Sequence, residues 1–280
     1  MIDQSKPVLI LGGEGFVGSH LADRLPKARA LDDRSFNKHL FDSTTVKDIC
    51  ADLESDIRGC GLVIHAACRD IRNSMVQPLE DARTNVLGTL NALSVCRKLQ
   101  VPLFYISSVS VEREVNHYAV SKSAGERYTL MYRQWVPTCV VRLSNVFGPR
   151  DTESVVARWL REDEITVVDE NATRDFTYVE DTVSGILRAI EVWPAEVVNI
   201  GTGVETRLGD LAEWIAKKTG KPIRMMPPRE IDNVHRRVVD PRDAEARIGY
   251  RAKWNMNDAL EHYLGKYDHP SLKATNRFSR

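Results

Sequence analysis

The chain has 280 residues, 42% of them apolar, enough to bury one large core or a core plus a smaller lobe. Its 39 basic and 39 acidic side chains cancel, so charge gives no case for nucleic acid or a membrane surface as partner. No stretch is long and apolar enough to span a bilayer, and Met1 to Pro7 is too polar to open a secretory leader. The five cysteines (Cys50, Cys60, Cys68, Cys96, Cys139) form no Cys-x-x-Cys pair; they read as reduced thiols of a cytoplasmic protein, and no metal site is expected.

Val8 to Leu11 is a short, wholly apolar run, as expected of a buried parallel strand. Glycines follow at once, then a helical pattern carrying Phe16, Val17 and Leu21 on one face. Two registers fit: Gly13-x-Gly15-x-x-Gly18 and Gly12-x-x-Gly15-x-x-Gly18. In either, glycine permits positive φ and lets a pyrophosphate approach bare backbone at a helix N-terminus. The plainer alternative is a structural glycine turn. Ala28 to Leu31 reads as the second strand, with Asp32 and Asp33 at its end. A carboxylate at Asp32 suits the adenosine ribose hydroxyls and repels a 2′-phosphate, which favours NAD over NADP; Arg34 nearby keeps NADP open.

Further along, Thr45 to Ile49 reads as a third strand, followed by Asp52 and Leu53, and Gly61 to Ala67 as a fourth. A long helix is expected over 81–99, a fifth strand over 101–106 ending in Ser107-Ser108, a helix over 117–135 and a sixth strand over 138–142. This alternation argues for a doubly wound parallel sheet. The second half offers short strands at 164–169 and 173–178, a helix at 179–191, a buried strand at 197–200, an amphipathic helix at 208–218 and a strand at 221–226. Two last helices are expected at 243–248 and 257–264.

These motifs accumulate into a resemblance. Gly-Gly-Glu-Gly-Phe-Val-Gly-Ser-His-Leu from Gly12, His65-Ala66-Ala67, Asn85-Val86-Leu87-Gly88-Thr89, Ser107-Ser108 and Tyr118-Ala119-Val120-Ser121-Lys122 stand in order. So do Arg142 to Arg150, Arg174 to Asp181 and Asn199 to Gly203. The chain resembles an extended short-chain dehydrogenase/reductase of the nucleotide-sugar epimerase/dehydratase group, from about Pro7 to Tyr267. The resemblance implies an α/β fold. A Rossmann-type NAD-binding domain would span residues 1–148, receiving also about 176–203. A smaller C-terminal α/β substrate lobe would be formed by 149–175 and 204–280.

Tyr118 and Lys122 stand four apart on a helix and share a face. An ammonium beside a phenol favours the phenolate, which makes Tyr118 a candidate base. Ser108 ends a strand where ligands bind in such sheets, and its hydroxyl can donate to the reacting oxygen. Ser107 and Ser110 are rivals that the resemblance sets aside. The resemblance also implies a cofactor groove of Gly12, Gly15, Phe16, Val17, Gly18, Asp32, Asp52, Leu53, Ala66, Ala67, Asn85, Tyr118 and Lys122, with Asn85 kinking its helix. It implies sugar-diphosphate contacts from Asn145, Arg174 and Arg236 or Arg237. It further implies a homodimer built on the helices at 81–99 and 117–135.

Two departures narrow the chemistry. The segment between Ser108 and Tyr118 is about half the family's usual length, which leaves a more open site. Dehydratases carry an Asp-Glu pair directly after the serine or threonine, and decarboxylases keep a glutamate there. This chain has Val109 and Ser110. The expectation is therefore NAD-dependent epimerisation, at C4 of a UDP-sugar. The alternatives are an NAD(P)H-dependent 4-keto-sugar reductase and a non-catalytic dinucleotide-binding regulator.

Overall fold

The computed structural model describes residues 5–33, 45–228 and 234–267. In chain order these fold as β1 (Val8–Leu11), α1 (Phe16–Ala22), β2 (Ala28–Asp32), β3 (Thr45–Val46), α2 (Glu54–Ile57), β4 (Leu62–His65), α3 (Ile71–Val76) and α4 (Pro78–Ala82). A π-helical turn (Arg83–Gly88) then runs into α5 (Thr89–Leu99), followed by β5 (Leu103–Ser108), a 3₁₀ turn (Val109–Glu112), α6 (His117–Tyr132) and β6 (Thr138–Leu143). The remainder is β7 (Asn145–Phe147), α7 (Val155–Arg161), β8 (Ile165–Val168), β9 (Thr173–Tyr178), α8 (Val179–Val192), β10 (Val198–Ile200), β11 (Glu205–Arg207), α9 (Leu208–Thr219), β12 (Ile223–Met226), β13 (Arg236–Arg237), α10 (Pro241–Ile248) and α11 (Met256–Tyr267).

Two compact units result, Met1–Arg142 with Ile186–Val198, and Leu143–Gly185 with Asn199–Arg280. The divisions fall at 142, 185 and 198, where the sequence pointed to 148, 176 and 203. The first unit is built on a seven-stranded sheet in the order β10-β6-β5-β4-β1-β2-β3. The doubly wound pattern turns about β1: β2 and β3 extend to one side, β4, β5 and β6 to the other. Such a reversal opens a crevice at the strands' carboxyl ends. Leu11 is paired in parallel with Leu31 on one side and His65 on the other, so three strand ends stand level. Leu9, Leu11, Leu31, Leu53, Val63, Leu93 and Leu103 close the core on one face of the sheet. The second unit carries a small sheet, β11-β9-β13 with β7 also on β9, and a separate β12-β8 pair.

Several elements differ from the sequence reading for local reasons. The third strand stops at Val46, because Asp48 turns the chain, accepting Cys50 N–H on Oδ1 at 2.8 Å and Ala51 N–H on its carbonyl at 2.9 Å. The fifth strand starts at Leu103, since Pro102 has no N–H to give, and it extends through Ser108. The helix expected over 81–99 begins earlier, at Pro78, and carries the π turn in its middle. The helix from His117 ends at Tyr132 rather than Trp135. Strands β7, β11 and β13 are too short and polar to show a period of two, and α3 and α7 were also unanticipated. Arg34 lies outside the described residues.

Candidate active site

Gly12 takes φ +79° where β1 turns, a left-handed conformation natural only to glycine. A Cβ on it would sit 2.5 Å from the Ala67 nitrogen; one on Gly18 would sit 2.1 Å from the Gly12 carbonyl oxygen. Gly13 is as crowded, with a Cβ 2.6 Å from that of Ala30, so close approach demands glycine in both registers, and only the positive φ singles out Gly12. At Gly15 a Cβ would meet only the Gly12 carbonyl oxygen, at 3.2 Å. The result is a bare backbone cradle at the start of α1. Phe16 and Val17 open that helix, and both are half-buried. Asp32 Oδ2 accepts the Glu14 N–H at 3.1 Å, which fixes the carboxylate beside the same loop. A bare cradle beside a held carboxylate fits a dinucleotide with free ribose hydroxyls. Leu53 is wholly buried in the core, and Asp52 Oδ1 accepts the Glu54 N–H at 3.0 Å at the start of α2. Any part these two play toward a cofactor thus falls to backbone or to the exposed Asp52 side chain.

Asn116 sets the position of Tyr118 and Lys122. Its Oδ1 accepts the Ala119 N–H at 2.8 Å, starting α6 at His117 and placing Tyr118 in the first turn. Lys122, one turn on, is 2% exposed. Its Nζ donates to the Ile106 carbonyl at 2.7 Å and stands 4.3 Å from the centre of the Tyr105 ring. Burial works against its charge, yet Tyr105, Cys68 and Tyr118 hold it above the usual lysine range. Burial pushes the Tyr118 phenol well above its ordinary value, and Cys68 adds to this; Lys122 and a hydrogen bond from Ser108 pull the other way and lose. Lys122 thus acts in the direction expected from the sequence, against the larger effect of burial. In the chain alone, Tyr118 is held protonated.

Of the three serines, Ser108 is the one whose hydroxyl acts on the Tyr118 phenol. Its Oγ also accepts the Ser110 N–H at 3.2 Å and lies 3.1 Å from Ser110 Oγ, which starts the 3₁₀ turn. Ser107 faces away; its hydroxyl donates to Glu126 Oε2 at 2.7 Å. Glu126, on α6 and 4% exposed, is also gripped by Arg142 of β6, with Nη2 2.5 Å from Oε1. A second arm of Arg142 reaches Glu112 in the shortened segment at 3.4 Å. Helix α6, β5 and the shortened segment are thus tied together. Sequence reasoning missed this tie, although Glu126 continues the spacing of Tyr118 and Lys122 by one further turn.

Asn85 lies in the π turn, 1% exposed. Its Oδ1 accepts the Arg69 N–H at 2.9 Å, and its Nδ2 donates to Asp81 Oδ1 at 2.7 Å and Ser121 Oγ at 2.9 Å. Its side chain is spent on protein groups, so it shapes the loop after β4 and braces α6.

In the second unit, Arg174 of β9 is the register partner of Arg237, and Asn145 that of Phe176. Side chains two apart on a strand, and register partners, share a face. Asn145, Arg174 and Arg237 therefore lie on one face of the small sheet. Arg236 lies on the other, with its Nε 3.0 Å from Glu205 Oε2. Between the two arginines the sequence left open, Arg237 is the one that joins Arg174.

No described helix is long and apolar enough to cross a membrane, and no cluster of metal-ligating side chains occurs among the described residues. Residues 8–201 match the profile of the NAD dependent epimerase/dehydratase family. A Methanocaldococcus jannaschii protein, provisionally named a UDP-glucose 4-epimerase, is 30% identical over 91% of this chain and 96% of its own length. UDP-glucuronic acid decarboxylase 2 of Arabidopsis thaliana is 28% identical over 90% of this chain and 66% of its own. Among solved structures, the Thermus thermophilus UDP-glucose 4-epimerase complex with NAD superposes with a TM-score of 0.85 at 26% identity, covering 94% of this chain and 99% of that one. The glycine cradle and the Tyr118–Lys122 helix thus belong to a chain that is a member of the NAD-dependent epimerase/dehydratase family, with NAD as its cofactor.

Proposed function

We propose that this protein inverts a carbon of a nucleotide sugar, at C4 of a UDP-activated sugar, and returns its NAD unchanged. The observation that carries the reading is the convergence of Ser108, Tyr118 and Lys122 beside positions 109 and 110, which hold no acid. Val109 and Ser110 are 4% and 3% exposed and cannot take or give the protons that elimination requires. Epimerisation needs one base, one hydrogen-bond donor and a retained cofactor.

In this reading Tyr118 takes the proton of the reacting hydroxyl, and Ser108 donates to the same oxygen as it becomes a carbonyl. Lys122 lowers the cost of the phenolate. When bound, NAD supplies the hydride acceptor and donor and, as the oxidised ring, positive charge near the phenol. Bringing a phenol from about 10 to about 7 takes roughly 4 kcal/mol, at 1.36 kcal/mol per unit. Burial raises that requirement here, so a base form of Tyr118 belongs to the cofactor-bound protein. The keto-sugar formed turns in a site that the shortened segment leaves open, and Tyr118 returns the proton. Asn145, Arg174 and Arg237 are assigned to the nucleotide-diphosphate part, where planar guanidinium forks suit the anion.

A homodimer in the cytoplasm is part of the proposal. On α6, Val120, Tyr128 and Met131 are 50%, 36% and 45% exposed, and their spacing puts them on one outward face. A second reading, decarboxylation of a UDP-uronic acid, is favoured by the likeness to the Arabidopsis protein. The deciding experiment incubates the purified protein with UDP-, GDP- and dTDP-sugars and with UDP-glucuronate, separating epimers by chromatography and collecting CO₂. Epimers without CO₂ or net NADH support the proposal. CO₂ release selects the decarboxylase, steady consumption of NAD(P)H a reductase, and tight NAD binding without turnover a regulator.

A further inference from the structure

Arg69 is the fourth residue beyond His65, where β4 ends, and Asp33 is the second beyond Leu31 of β2. Leu31, Leu11 and His65 stand level in the sheet, with β1 in the middle. An ion pair joins the two outer strands: Arg69 Nη2 lies 3.3 Å from Asp33 Oδ2. It therefore passes across the carboxyl end of β1, where the chain turns into the glycine cradle at Gly12.

The two ends of this link differ. Arg69 is anchored: its N–H donates to buried Asn85, and its carbonyl accepts from Asn85 Nδ2 at 3.4 Å. Its side chain is 20% exposed, that of Asp33 44% exposed. The guanidinium is also incompletely used. Its Nε is buried and has no hydrogen-bond partner. A buried donor without an acceptor is costly, and this one is closed off by the chain itself. A guanidinium keeps its charge at any relevant pH, so the link does not depend on titration.

We propose that Arg69 and Asp33 form a strap over the dinucleotide groove, and that this strap slows release of the cofactor. The inference rests on the epimerase reading for its purpose, because an enzyme that reoxidises its own cofactor gains from keeping it. Its evidence is the ion pair and its place across the end of β1, both independent of the sugar.

The test follows release of NADH from the loaded protein, displaced by excess NAD and read as decay of NADH fluorescence, with no sugar present. Arg69→Gln is expected to speed release at least tenfold, and Asp33→Asn threefold or more. The double variant should release no faster than Arg69→Gln alone, because the two act as one unit. Raising salt should speed release from the native protein and leave the double variant unchanged. Native release rates from either single variant overturn the proposal. So do effects that multiply in the double variant, which would mean two separate contacts. Should Arg69→Gln not fold, Asp33→Asn and the salt series still decide. A native protein that inverts no sugar but shows this pattern would sink the epimerase reading and leave the strap standing.

Discussion

The glycine cradle allows folding and cofactor binding to be separated by single methyl groups. At Gly12 an alanine meets two penalties. The φ of +79° costs an L-residue about 1–2 kcal/mol. The new Cβ, 2.5 Å from the Ala67 nitrogen, strikes backbone that has no rotamer to move, and such overpacking costs roughly 1–3 kcal/mol. Together Gly12→Ala should lose about 2–5 kcal/mol. A chain of this size shifts in Tm by roughly 2–4 °C per kcal/mol, so the drop should exceed about 4 °C. Gly15→Ala is the control. Its φ of −68° is ordinary, and its Cβ meets only one carbonyl oxygen, at 3.2 Å. It should fold with a Tm within about 2 °C of native, since surface-like changes cost under roughly 0.5 kcal/mol. Yet it sits where a pyrophosphate must approach bare backbone, so NAD binding should weaken at least tenfold. Differential scanning calorimetry and NAD titration calorimetry read the two effects. A Gly12→Ala protein with native Tm, or a Gly15→Ala protein with native NAD affinity, would refute the assignment of these roles.

Other outcomes follow from the same geometry. Tyr118→Phe should lower kcat by roughly 10²–10⁴ while leaving NAD binding nearly intact, and Lys122→Ala should damage both; an equally fast Tyr118→Phe enzyme would disprove the base. Asp32→Ala should narrow a preference for NAD over NADP that is at least tenfold, about 1.4 kcal/mol, in the native chain; equal native affinities by calorimetry would sink that assignment. Light scattering at micromolar concentration should give twice the monomer mass, and Met131→Glu on the exposed α6 face should give monomers. His65 is fully buried, and desolvation holds its ring down at about 3 against an ordinary 6.5. The unfolded chain takes that proton first. Stability should therefore fall as pH drops from 6.5 toward 3, by up to about 5 kcal/mol at 1.36 kcal/mol per unit. Urea unfolding at pH 7 and pH 4 with native and His65→Gln proteins checks this: loss of the same size in both removes His65 as the cause.

The first unit was legible because its signals are strong and local. Val8–Leu11 has no polar residue, the glycines follow it directly, and Tyr118 and Lys122 have helical spacing. What was not legible depends on contacts far apart in sequence. The partner of Arg142 is Glu126, sixteen residues away, and Arg69 meets Asp33 across thirty-six. No period marks either. Nor could sequence choose between Arg236 and Arg237, because the choice is the register of a two-residue strand beside β9. The burial of the Tyr118 phenol was out of reach for a related reason. The spacing reveals the ammonium nearby but says nothing of the burial that outweighs it.

The π turn at Arg83–Gly88 gives the site an unusual sensitivity to chain length. A π turn accommodates one residue more than the α-helix around it. Deleting a single residue there would let the segment relax into regular helix, which is locally an improvement. It would also rotate whatever lies beyond the deletion by about 100°, one residue's share of a turn. Asn85 could then no longer face Arg69, Asp81 and Ser121 together. Substitutions at its exposed positions, such as Leu87, can be absorbed one by one. A change of length cannot, since it alters the phase between two halves of one helix. Only its exposed positions are therefore free to drift in sequence, while its count is frozen by Asn85 on one side and by the core residues Ala92, Leu93 and Cys96 of α5 on the other.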